Sequence, residues 1–328
     1  MPCTIILRPV YNRPEMLKVS LNHEIRARQQ LRNAGIADSY MTLFLIEYGT
    51  PETCLDVISD YPFPSIQRKR GPSPSPRIIT SRGRRSSVLQ NGLTRNIMEG
   101  MKEGFDMTDN HVIILEDDIM VHDTYFVFLE RLLAAVPPFT IISSQYRGMH
   151  TRAVEGEHSG IPAGADPSAV ERLHDYCPWG PLIRKDFFDT YIRPFASETY
   201  YSNRQEVITG LDKTYGHLKD RGYKYSEGMH NEQAGLINRM ADLAMIEQQR
   251  YIYAPQVDRT VHTGFYGANR GKGRIAGLTF ASRCRRLERA IRQNRLEELN
   301  TSRRYTSYPS FSSRLQNWDG TIRIRETQ

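Results

Sequence analysis

In the first 145 residues, short apolar runs alternate with longer segments whose apolar residues recur at helical spacing. "TIILRPVY" reads as a strand, and "RPEMLKVSLNHEIRARQQLRNAG" as a helix stopped by Gly35. "MTLFLIEYG" is a second strand, its end marked by Glu47, Tyr48 and Gly49. In "SSVLQNGLTRNIMEGMKEGF", Leu89, Leu93, Ile97 and Met101 fall four residues apart, which predicts a helix capped by Ser86 or Ser87. "HVIIL" is a strand, "TYFVFLERLLAAV" a helix and "FTIISSQY" another strand. Strand–helix alternation predicts an α/β fold with a doubly wound, mostly parallel sheet and helices on both faces.

The pattern weakens after residue 150. "CPWGP" is an aromatic-glycine turn ahead of a predicted amphipathic helix in "LIRKDFFDTYI", and "RYIYAPQVDRTVHTGFYG" gives a short strand followed by a loop rich in Arg, His and Gly. From "GANRGKGR" onward the text is Arg-rich, helix-like and poor in apolar residues. The predicted organisation is an α/β half over 1–150, a less regular half of the same domain over 151–267, and a basic extension over 268–328.

Composition narrows the class. The 328 residues are 39% hydrophobic and 25% charged, the balance of a globular rather than a disordered chain. No apolar run reaches membrane-span length. The first strand starts close to Cys3, so no signal peptide or anchor is expected. Cys3, Cys54, Cys177 and Cys284 match neither a zinc pattern nor a disulfide framework, so a reducing, cytoplasmic setting is expected. The net charge of +7 is uneven: residues 265–328 carry fourteen Lys/Arg against five Asp/Glu. The segment 68–85 holds seven basic residues and no acid. Such runs are either solvated or grip a polyanion.

"HVIILEDDIMVHDTYF" is where chemistry concentrates, because four apolar residues ending at Leu115 run straight into Glu116, Asp117 and Asp118. Three adjacent carboxylates repel one another unless a cation sits among them. Ligands of doubly wound sheets bind at the carboxyl ends of the strands. Arg13, Glu47 and the acidic triplet all fall at such ends. No G-x-G-x-x-G or G-x-x-x-x-G-K-[ST] pattern is present, which disfavours a dinucleotide enzyme or a P-loop kinase.

These motifs resemble N-acetylglucosaminyltransferase I, a family of metal-dependent, inverting glycosyltransferases with the GT-A fold. The likeness rests on "VYNRP" with Asn12 and Arg13, on "EYGTPET" with Glu47, on "IILEDD", and on "PQVDRT" from Pro255 to Thr260, in that order. The resemblance implies that residues 1–150 bind a nucleotide sugar and that Mn²⁺ or Mg²⁺ assists. It makes Asp118 the metal ligand, with Asp117 at the donor sugar and Glu116 at the ribose. Arg13 would pair with the diphosphate, joined by Arg259. His262 would complete the metal shell or touch the diphosphate. Glu47 would accept an N–H of the base; uracil and guanine offer one, and the family match favours a UDP-sugar. Inversion needs a base to take the acceptor's proton. Asp212 in "TGLDKTYG" matches the family's position, and Glu232 in "MHNEQAG" is the second candidate. Trp179 reads as a stacking platform for a sugar or as a core aromatic at a turn.

Two functions stay open on the sequence. One is the glycosyltransferase; the other is a Mg²⁺-dependent nucleic-acid enzyme with Asp117 and Asp118 holding the ion. They merge in a transferase whose acceptor is a polyanion, such as hydroxymethylated viral DNA, gripped by Arg82, Arg84 and Arg85 and by the basic tail. A glycan or protein acceptor is the alternative.

Overall fold

The computed structural model describes residues 3–71, 80–81, 84–85, 88–145, 165–173, 176–221, 232–264, 273–299 and 311–325. The strands are β1 (Thr4–Val10), β2 (Tyr40–Ile46), β3 (Ser65–Lys69), β4 (Thr80–Ser81), β5 (Arg84–Arg85), β6 (His111–Ile114), β7 (Ile119–Val121), β8 (Phe139–Ile142), β9 (Ala169–Leu173), β10 (Leu182–Arg184), β11 (Tyr251–Pro255), β12 (Thr260–His262) and β13 (Arg323–Arg325). The helices are α1 (Pro14–Asn33), α2 (Glu52–Ser59), α3 (Val88–Met107), α4 (Tyr125–Ala135), α5 (Glu198–Tyr215), α6 (Glu232–Gln248) and α7 (Phe280–Arg292), with shorter helical turns over 185–195.

A nine-stranded sheet runs in the order β13-β9-β11-β8-β10-β6-β1-β2-β3. From β6 to β3 every pairing is parallel. The apolar runs are continuous here because both faces are covered. Side chains alternate between the faces. Ile5, Leu7, Val112 and Ile114 pack with Ile97, Met101 and Phe105 of α3. Ile6, Ile113 and Leu115 pack on the other face with Ala27, Leu31 and α4.

The expected α/β class with a mostly parallel sheet is what the chain adopts. The far half is mixed: β10 lies antiparallel between β6 and β8, and β9 is antiparallel to β11. Two expectations change. The Pro, Gly and Ser in residues 68–85 predict a basic loop there. The segment begins instead inside the edge strand β3, and Arg70 donates to Glu103 at 2.6 Å and to Asn96 at 2.9 Å. An acid-rich face of α3 beside that edge accounts for the pairing. The C-terminal segment was read as poor in apolar residues. In α7, Cys284, Leu287, Ala290 and Ile291 are buried against Met16 and Val19 of α1, and β13 pairs with β9. The Ser86 and Ser87 caps lie outside the described residues. No helix among the described residues is long and apolar enough to cross a membrane, and the four cysteines, all described, form no disulfide.

Candidate functional site

The acidic triplet sits in the turn between β6 and β7, at the sheet edge where β1 and β6 both end. The backbone tightens there, with Ile119 N–H donating to the Glu116 carbonyl at 3.1 Å. β7 then leaves the main sheet and pairs antiparallel with β12, placing His262 opposite Ile119. Thr263 closes this ribbon, its N–H and its hydroxyl both donating to the Asp118 carbonyl at 2.8 and 3.0 Å.

Arg13 meets the triplet from the start of α1. Its Nε donates to Asp117 Oδ2 at 3.2 Å, Nη2 donates to Asp117 Oδ1, and Nη1 donates to Asp118 Oδ2 at 2.6 Å. This fork bridging two carboxylates supplies the cation that the sequence demanded. His262 Nε2 lies 3.3 Å from Asp118 Oδ2. The Trp179 ring stacks on the imidazole, with centroids 4.6 Å apart and 6° between planes. Trp179 enters through Gly180, whose φ of +79° few other residues adopt and whose missing Cβ leaves room for Thr260. Gly264 matters for space: a Cβ there would lie 2.7 Å from His262 Nε2 and would also collide with Asp118 Oδ2.

The electrostatics follow from burial. Asp117 and Asp118 are each 4% exposed. Burial, with Asp118 beside it, pushes Glu116 up to about 8. Burial also raises Asp117 to about 6 against the pull of Arg13. Burial alone would raise Asp118 as well, but Arg13 and His262 outweigh it and hold that carboxyl below the usual range. Glu47, at the end of β2, is raised to about 7 by burial, while Asn96 Nδ2 donates to its Oε1 at 3.4 Å. Arg70 donates to the Oδ1 of the same Asn96, which fixes the amide so that its N–H faces Glu47.

The structure therefore brings Arg13, Asp117, Asp118, His262 and Trp179 into contact, with Glu116 in the same turn and Glu47 near enough to feel Asp117 and Arg13. It does not bring Arg259 to this cluster. That side chain is fully buried, donates to Thr124 Oγ1 and the Pro167 carbonyl, and lies over the rings of Phe128 and Trp318. Asp212 is engaged elsewhere too, accepting from Arg239 Nε at 2.7 Å between α5 and α6. Glu232 opens α6, but its side chain lies outside the described residues, as do those of Arg84 and Arg85. Arg82 lies outside them altogether.

Sequence reasoning missed the groups behind the turn. Arg8 in β1 is fully buried, pairs with Glu24, and donates to the Glu116 carbonyl at 3.2 Å and to Ser20 Oγ at 2.7 Å. Ser20 in turn donates to the Ile119 carbonyl at 2.5 Å. The signal was an arginine inside an apolar strand, which requires a buried counter-charge.

A divalent ion fits the residues present. Asp118 Oδ1 is buried without a hydrogen-bond partner among the described residues, and His262 Nε2 lies beside the other oxygen of that carboxylate. Among the described residues no group of three or more His, Cys, Asp or Glu is arranged to hold an ion. An ion held by Asp118 and His262 would have to take its remaining oxygens from a ligand and water.

No family model and no curated protein matches the chain. Among solved structures it is similar to Staphylococcus aureus TarS residues 1–349, at 11% identity and TM-score 0.39, covering 77% of this chain and 60% of that one. It is also similar to mouse xyloside xylosyltransferase 1 in its apo form, at 11% identity and TM-score 0.38, covering 76% of this chain and 84% of that one.

Proposed function

We propose that the chain is a metal-dependent glycosyltransferase that moves a sugar, with inversion, from a UDP-sugar to an acceptor hydroxyl. The observation that carries this is the Asp118 carboxylate at the carboxyl end of a sheet strand, whose Oδ2 meets His262 and the Arg13 fork while its buried Oδ1 has no hydrogen-bond partner among the described residues.

Asp118 and His262 would hold Mn²⁺ or Mg²⁺, and the bound ion would supply positive charge where the donor diphosphate gains negative charge. Arg13 contributes a fixed guanidinium at the same place and holds Asp117 in register for the donor sugar. Glu47, oriented by Asn96, accepts the N–H of a uracil edge. Glu116 faces the ribose. An acceptor hydroxyl oxygen attacks the anomeric carbon, the bond from that carbon to the β-phosphate oxygen breaks, and UDP leaves. The proton passes to a carboxylate base. Asp212 is committed to Arg239, so Glu232 takes that role in this reading. Trp179 presents a half-buried ring on which a sugar stacks.

The acceptor in this reading is a polyanion in the cytoplasm, hydroxymethylated DNA being the example that best matches the basic balance. Cysteines without a disulfide support that compartment. The test is a thermal-shift panel of UDP-, GDP-, ADP- and CDP-sugars with and without Mn²⁺. Stabilisation by a UDP-sugar that depends on Mn²⁺ is expected. No response to any donor would overturn the assignment.

A further inference from the structure

The four arginines Arg285, Arg286, Arg289 and Arg292 are all exposed on α7, and none has an acidic partner among the described residues. The neighbouring arginines differ: Arg283 faces Glu15 at 3.4 Å, and Arg295 pairs with Glu298. The one acid on α7, Glu288, is half-buried. Arg285, Arg289 and Arg292 follow each other at i, i+4 and i+7 and so form one ridge about 10 Å long. Like charges at that spacing repel. The helix tolerates this because its opposite side buries Cys284, Leu287, Ala290 and Ile291.

What that opposite side touches gives the ridge its place. Cys284, Leu287 and Ile291 pack with Met16 and Val19 of α1, and with Met120 and Val261 of the β7–β12 ribbon. Arg13 precedes α1, and Asp118 and His262 belong to that ribbon or flank it. The exposed Lys18 amine, over the Phe280 ring, extends the positive surface from α7 back toward Arg13. The ridge thus sits on the elements that build the site, on their solvent side.

We propose that the Arg285–Arg289–Arg292 ridge, flanked by Arg286, binds the phosphodiester backbone of a nucleic acid and holds it alongside the acidic site. This deepens the transferase reading and rests on it for the claim that the bound polymer is the acceptor. Guanidinium groups that present several donors on a rigid, convex helix match a line of phosphates and read no sequence.

The experiment is a salt titration of binding to a duplex DNA of about 20 base pairs, by fluorescence anisotropy, between about 50 and 200 mM salt. Each phosphate contact contributes about 0.9 to the log–log slope. The triple variant Arg285→Ala, Arg289→Ala, Arg292→Ala should have a slope shallower by about 2 to 3. The corresponding triple Lys variant should keep most of it. Unchanged melting of the Ala variant is the check on folding. Asp118→Asn should keep the wild-type slope, so that the surface and the transferase reading fail separately. A wild-type protein that ignores DNA at about 50 mM salt overturns the proposal. So does an Ala variant with the wild-type slope, or equal binding of polyglutamate, which would assign the ridge to an acidic protein.

Discussion

The Nε2 of His262 lies 3.3 Å from Oδ2 of Asp118, while the other oxygen of that carboxylate is buried without a hydrogen bond among the described residues. Asp118→Asn should therefore keep the fold by far-UV circular dichroism and lose the Mn²⁺-dependent part of UDP binding. In the wild type that part should reach about 2.7 kcal/mol of stabilisation at a hundredfold excess of ligand over Kd. A wild-type Mn²⁺ response in the variant would remove Asp118 from the metal site.

Gly264→Ala tests the same pair from outside the ligand set. The new methyl would meet His262 Nε2 at 2.7 Å, so one of the two side chains must move. Mn²⁺ affinity, measured by calorimetry, should fall at least tenfold. Unchanged affinity would mean that His262 and Asp118 do not act together.

Glu47 gives a pH dependence. Its carboxyl rises from an ordinary 4.5 to about 7 in the fold, chiefly through burial. The folded state then binds a proton that the unfolded chain releases. The stability contributed by this group is full below pH 4.5 and is lost as pH rises through about 7. An ionised Glu47 accepts the base N–H more strongly than a protonated one. UDP affinity should thus rise between pH 6 and pH 8 while the apo protein loses stability over the same interval. Glu47→Gln should make both trends shallower without abolishing them, because burial also raises Asp117 to about 6 and Glu116 to about 8, and calorimetry with paired denaturant curves reads the difference.

Arg8 and Glu24 form an ion pair with both side chains fully buried. Glu24→Gln leaves the guanidinium without its charge partner, which should cost about 3 to 5 kcal/mol in urea denaturation. Arg8→Lys keeps the charge but cannot reach Ser20, Glu24 and the Glu116 carbonyl together. It should weaken Mn²⁺ binding by more than its stability loss explains, because the 116–119 turn is no longer pinned from behind.

Asp212 and Glu232 separate by different readouts. Asp212→Asn should lower stability by about 1 to 3 kcal/mol, because it loosens Arg239, which is itself nearly buried. Turnover should stay within a fewfold of wild type. Glu232→Gln should lower turnover by about 10²–10⁴ with donor affinity retained. The reverse pattern returns the base to Asp212.

The parallel part of the sheet was legible because β1, β2 and β6 are buried on both faces and read as unbroken apolar text. β7, β12 and β13 were not, since strands of three residues carry no periodicity. β3 was hidden for another reason: "SIQRK" is an edge strand with little buried surface and no apolar alternation. At the site, Arg13 and the acids could be read from their positions at strand ends. The exclusion of Arg259 could not. "PQVDRT" looks alike whether its arginine faces a diphosphate or, as here, the Phe128 and Trp318 rings. Which way an arginine leaves a loop is decided by aromatic groups far away in the chain.

The ribbon of β7 and β12 has a kinetic consequence. Thr263 and Asp118, whose hydrogen bonds close it, stand 145 positions apart in the sequence. Pairing such distant segments costs closure entropy that three residue pairs repay poorly. The neighbouring β1, β2 and β3 need no such span. A refolding chain should regain its far-UV signal first and its Mn²⁺ binding in a slower phase, with catalytic competence the last property to appear.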